Sequence, residues 1–150
     1  MSNPNLLPSA RAAVVGIIDP DANDAAAYST AYIAMKDFES LMAIIMAGTL
    51  GTAATLDAKF EQATDSGGTG KKDITGKAIT QLVKATNDDD QAVINLRADE
   101  LDVEGGFTHV RLTMTVAAAT SDSGAVVLGM DPHYGPASDN DLASVQEIVT

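Results

Sequence analysis

The stretch from Ala53 to Leu82 constrains the fold most. Its first half alternates, with Leu56, Ala58 and Phe60 on one side and Asp57, Lys59 and Glu61 on the other. A period of two describes a β-strand with one buried face and one wet face. The alternation stops in TDSGGTGKK, where Ser66, Gly67, Gly68 and Gly70 supply the backbone freedom of a loop. A second strand is expected to start near Asp73 and to bury Ile74. The unit reads as a β-hairpin with a long polar tip, Asp65 to Lys72, expected to be an exposed loop.

The rest of the chain adds strands of the same kind. Ala13 to Ile18 is apolar and predicts a first strand at a sheet edge, and Thr30 to Met35 predicts a short strand. Phe38 to Ala47 fits two periods. Phe38, Leu41, Met42, Ile45 and Met46 would share a helical face, while Leu41, Ala43, Ile45 and Ala47 would share a strand face. The segment is short for a helix and Gly48 and Gly51 follow it, so a buried strand is expected, with its methionines as core filler. Ala78, Ile79 and Leu82 fit either a helical turn or an irregular strand over the sheet edge.

Ala92, Ile94 and Leu96 alternate inward, and Ala98 to Leu101 fits one helical turn before Gly105 and Gly106 reverse the chain. Phe107 to Val116 is the clearest strand: Val110, Leu112, Met114 and Val116 face the core, and His109, Arg111, Thr113 and Thr115 face out. Ala125 to Met130 is the last apolar strand. Beyond it, Pro132 and Pro136 mark an extended tail, which Leu142, Val145, Ile148 and Val149 could anchor through a final helical turn or two.

Together these elements predict a mainly β protein, an antiparallel β-sandwich or jelly-roll-like single domain with extended arms. Residues 1–18 are read as an N-terminal arm that can carry an edge strand, 19–130 as the sandwich, and 131–150 as a C-terminal arm.

A length of 150 residues fits one domain, and the chain has no Cys, which removes disulfides and thiolate metal sites. The formal net charge of −12 repels phosphate backbones and anionic membranes and favours a partner with a basic or neutral surface. The apolar runs Ala12 to Ile18 and Leu41 to Ala47 fall far short of the roughly 20 residues of a membrane span. The N-terminus lacks the basic region of a signal peptide, so synthesis in the cytosol without a membrane anchor is expected.

No catalytic, cofactor-binding or metal-binding residue is assigned, and no enzymatic activity is expected. Asp19, Asp21 and Asn23 occupy the first three ligand positions of an EF-hand loop, but Asp24 stands where Gly is needed and Thr30 where Glu should close the site. An acidic turn is expected there. Asp88, Asp89 and Asp90 are read as a solvated turn, and His109 as an ordinary outward residue without a second ligand at metal spacing.

The succession TLDAKFEQATDSGG, DITGKAITQL, INLRADELDVEGGF and HVRLTMTV resembles small proteins of tailed bacteriophages and prophages. Those are encoded in the head-assembly region, near the major capsid protein. The resemblance runs from Ala31 to Gly129, with a similar tail. It implies a structural virion protein, in its most concrete form a decoration or cement protein on the outer surface of an icosahedral capsid. It further implies the major capsid protein as partner and a homotrimer at three-fold or quasi-three-fold positions. The arms, Met1 to Ile18 and Asp131 to Thr150, are the candidates for contacts with the capsid or sister subunits.

Two other readings fit the same composition. One is a head–tail connector or a tail tube or tip protein. The other is a carbohydrate-binding β-sandwich, against which stand the absence of Trp and the dispersal of Tyr28, Tyr32 and Tyr134.

Overall fold

The computed structural model describes residues 5–150, so the first four residues of the expected N-terminal arm lie outside the described residues. Among the described residues, ten strands form two antiparallel sheets. The strands are β1 (Ala12–Asn23), β2 (Ala27–Ser29), β3 (Ile33–Ala34), β4 (Phe38–Ala47), β5 (Thr55–Ala63), β6 (Lys72–Ala78), β7 (Leu82–Val83), β8 (Gln91–Arg97), β9 (His109–Ala117) and β10 (Ser121–Pro132). The first sheet has the order β1-β10-β4-β8. The second has the order β2-β9-β5-β6, with β3 also on β9 and β7 also on β5.

When β2 with β3 and β6 with β7 are taken as two interrupted strands, eight strands remain, four in each sheet. The β5–β6 hairpin stays within one sheet, while the chain changes sheet after β1, β3, β4, β7, β8 and β9. That order is an antiparallel jelly roll.

The core lies between the sheets. Leu41, Ala43, Ile45, Ile94, Leu96 and Val127 enter it from the first sheet. Leu56, Phe60, Val110, Leu112, Met114 and Val116 enter from the second. The inward residues expected of the strands around Leu56, Ile94 and Val110 are buried, as is Ile74 on β6, except that Ala92 is half-buried. Phe38 to Ala47 is a strand, and Ala98–Glu100 is one turn of 3-10 helix.

Four expectations need correction. The acidic residues Asp19 and Asp21 sit within β1, which continues to Asn23, and not in a turn. Pro20 explains why a turn was expected. It lies at an irregularity in the ladder between Ile18 and Asp21, on an edge strand where a missing N–H is tolerated. The short β2, Ala27–Ser29, has no alternating apolar signal and was not anticipated.

Met42 and Met46 are not core filler. They alternate with the buried Leu41, Ala43, Ile45 and Ala47, so they point away from the core. The tail has a 3-10 turn at Ala137–Asn140, but Leu142 to Val149 is not helical, and Ile148 and Val149 are exposed.

The C-terminal segment runs along the free edge of β1. The Asp141 carboxylate accepts the Val14 N–H at 2.7 Å, and the Leu142 N–H donates to the Val14 carbonyl at 2.9 Å. Part of an otherwise open sheet edge is thereby capped. No helix among the described residues is long and apolar enough to cross a membrane.

Candidate interaction surface

Several of the residues singled out for chemistry are committed to local structure. Asn23 donates to the Ser123 carbonyl at 2.9 Å and to its hydroxyl at 3.1 Å, tying β1 to β10. Asp88 accepts the Leu50 N–H at 3.0 Å and the Lys84 ammonium at 2.6 Å; the lysine bond first, then the amide, holds its carboxyl below the ordinary range. Asp90 accepts from Asn87 at 2.9 Å. His109 shares a 2.8 Å hydrogen bond with Thr108. Tyr28 donates to the Asp24 carbonyl, Tyr32 lies under the Arg111 guanidinium, and Tyr134 is exposed.

The hairpin tip is exposed but organised. Asp65 accepts hydrogen bonds from the Thr69 hydroxyl at 2.6 Å and from the Thr69 and Gly67 amides, and these, the hydroxyl first, lower its pKa. Gly68 adopts φ +86° against the Tyr32 ring, where a Cβ would lie 2.9 Å from Cε2. Lys72 closes the base of the loop with a 2.6 Å bond to Asp102 and a position 4.2 Å above the Phe107 ring.

The two outer faces of the sandwich differ in kind. The outer face of the second sheet is polar, carrying Asp57, Lys59, Glu61, Arg111, Thr113 and Thr115. The outer face of the first sheet is aliphatic over β1, β10 and the C-terminal part of β4, and β8 adds Val93 between the polar Gln91, Asn95 and Arg97. Across its four strands, Ile17 pairs with Val126, Val126 with Ile44, and Ile44 with Val93. In the next row Val14 pairs with Leu128, and Leu128 with Met42. Met46 and Val93 are each about half exposed, at 51% and 53%.

Val14 and Ile17 share this face although three residues apart, because the ladder slips by one residue between Val14 and Gly16. Such a bulge turns the strand by one residue and restores the phase.

This apolar face ends in an acidic rim. The loops after β1, β4, β7 and β9 meet at one end of the sandwich. The Gly48 N–H donates to the Asp122 carbonyl, the Asp89 N–H to the Gly48 carbonyl, and the Thr120 hydroxyl to the Asp24 carboxylate. That end carries Asp19, Asp21, Asp24 and Asp122, with Asp88, Asp89 and Asp90 from the loop before β8. Among the described residues, Lys84 is the one cation in these loops, and it is paired with Asp88. Where the face meets the rim, Ile17, Pro20, Met46, Gly124 and Val126 line an apolar groove of about 320 Å³.

No family model matches the sequence, and no curated protein matches it. Three virus structures contain chains with a partial likeness. A chain of Broad Bean Stain Virus is 9% identical over 75% of this chain, with a TM-score of 0.40. A chain of the empty virus-like particle of Cowpea Mosaic Virus is 10% identical over 73%, with a TM-score of 0.38. A chain of the Gt strain of infectious bursal disease virus is 13% identical over 91%, with a TM-score of 0.39. This chain spans 63%, 55% and 37% of their respective lengths. Likenesses at these scores carry no functional argument, and the fold assignment rests on the strand order.

The apolar face itself was missed in the sequence. Its signal was present, because residues 41–47 of β4 read LMAIIMA with no polar residue on either side of the strand. A strand with one solvated face would alternate.

Proposed function

We propose that this protein is a structural component of a tailed-phage virion, a decoration protein that binds the outer surface of the capsid and stabilises the mature shell. The observation that carries the reading is the aliphatic outer face of the β1-β10-β4-β8 sheet. An open sheet face of this kind marks an interaction site and is costly to leave in water. The jelly-roll order, the acidic surface and the resemblance of the TLDAKFEQ and HVRLTMTV segments to phage head proteins support the same reading.

On this reading the apolar face lies against the major capsid protein, and the polar sheet faces outward. The exposed Leu6, Leu7, Ile148 and Val149 on the two arms reach sister subunits of a trimer at the three-fold positions. A ligand that binds only the expanded shell stabilises it by mass action, and many copies add avidity.

Co-sedimentation with empty expanded shells, with unexpanded shells as control, tests the proposal. Saturable binding to expanded shells, with a rise in their melting temperature, is expected. Absence of binding to either would overturn it. Rings of six or twelve copies of the free protein would point to a connector or tail part instead.

A further inference from the structure

We infer that the groove lined by Ile17, Pro20, Met46, Gly124 and Val126 receives an aliphatic side chain from a lysine- or arginine-flanked segment of the partner protein. The inference rests on the attachment reading above and names the chemistry of the segment that is held.

The groove is apolar over nearly all of its lining, so it rewards an aliphatic anchor and offers almost nothing to a polar one. Its surroundings have a fixed sign. Asp19 stands at its wall, and Asp21 and Asp122 lie on the same two strands, with Asp89 and Asp90 on the adjoining loop. A segment with acidic flanks would meet these carboxylates at close range, whereas basic flanks would be attracted and steered.

The same argument disfavours the C-terminal arm of a sister copy as occupant of this groove, because Asp139, Asp141 and Glu147 flank its aliphatic residues. Strand addition to β1 is blocked locally by Pro20, which has no N–H to donate, so the segment is held by its side chain in the groove and not by extending the sheet.

Three synthetic twelve-residue peptides, each with one central leucine in a Gly/Ser backbone, provide the test. Their flanks carry four lysines, four serines or four glutamates. Binding to the full chain is measured by calorimetry or fluorescence anisotropy at low and high NaCl. The lysine peptide is expected to bind at least about tenfold more tightly than the serine peptide, and to weaken about tenfold between 0.05 and 0.5 M salt. The glutamate peptide is expected not to bind.

Met46→Gln, which adds polarity without charge, should weaken the lysine peptide only if the leucine enters the groove. A lysine peptide with alanine replacing leucine separates anchoring from charge alone. Equal binding of the leucine and alanine peptides, or of the lysine and serine peptides, would overturn the inference, as would no binding of any. Shell co-sedimentation of the same preparation separates the two readings. Retained shell binding without peptide binding would remove this inference and leave the attachment proposal standing.

Discussion

The Phe38 ring occupies the space that a side chain at residue 129 would need: a Cβ on Gly129 would lie 2.6 Å from Cζ of Phe38 and 2.7 Å from Cε1. Phe38 is among the largest fully buried side chains, so the ring cannot swing into solvent without emptying its site. Gly129→Ala should therefore cost about 1–3 kcal/mol through overpacking. Phe38→Leu alone should also destabilise, by leaving a void. Combined, the two should cost less than their sum, because leucine vacates the space that alanine needs. Urea denaturation of the two single variants and the double variant reads this coupling.

Glu61 points to the outer side of β5 yet is buried. Thr113 donates a short hydrogen bond to its Oε1, Arg111 stands 3.7 Å away and Lys71 3.6 Å away. Arg111→Met would remove the guanidinium and leave the carboxylate enclosed, at an expected cost of about 1–3 kcal/mol. Glu61→Gln with Arg111→Met should recover part of that loss, because no buried charge then lacks its partner. Thermal melts at pH 7 check both outcomes, and equal stability of the Arg111→Met variant and the native chain would contradict the role given to the pair.

His133 fastens the C-terminal segment to the turn before β4. Its Nδ1 faces the Lys36 carbonyl, its Nε2 lies 2.7 Å from Glu39 Oε1, and its backbone N–H donates to the Asp37 carbonyl at 3.0 Å. Both ring nitrogens face acceptors, which suits the doubly protonated ring. The Lys36 carbonyl first and Glu39 second raise its pKa above the ordinary value.

The folded-state value thus exceeds the unfolded one, near 6.5. The stabilisation is fully present below that pH and is lost as pH rises through the folded value. Melting temperature should fall modestly as pH climbs from about 6 past neutrality. His133→Asn should flatten that slope, and an unchanged slope would show that the ring contributes nothing to it.

How much of this was legible follows from where partners come from. Leu56, Phe60, Val110 and Leu112 declared themselves because each alternates with polar neighbours on its own strand, so local sequence suffices. Glu61 also reads as a wet residue on that pattern. It is buried among Thr113 and Arg111, distant in sequence, and Lys71 of its own hairpin, with Tyr32 packed against Arg111.

The aliphatic outer face was illegible for two reasons. On β4 both sides are apolar, so Met42, Ile44 and Met46 could not be told from core residues. On β1 the bulge puts Val14 and Ile17 on one side, which no period of two would pair. The acidic rim comes from three parts of the chain, the end of β1 with its following loop, the loop before β8 and the start of β10, and exists only once the jelly roll closes.

The central claim is that the β1-β10-β4-β8 face is the attachment surface. Its most direct test is binding to expanded shells by the native chain, Ile44→Lys and Thr115→Lys, at matched concentrations. Ile44 lies at the centre of the aliphatic face, and Thr115 lies on the outer side of the opposite sheet. Circular dichroism and thermal melts would first establish that both variants fold. The account predicts that Thr115→Lys binds as the native chain does and that Ile44→Lys loses at least about tenfold in affinity, as expected for a charge buried at the centre of an interface. Undiminished binding by folded Ile44→Lys, or loss confined to Thr115→Lys, would contradict it.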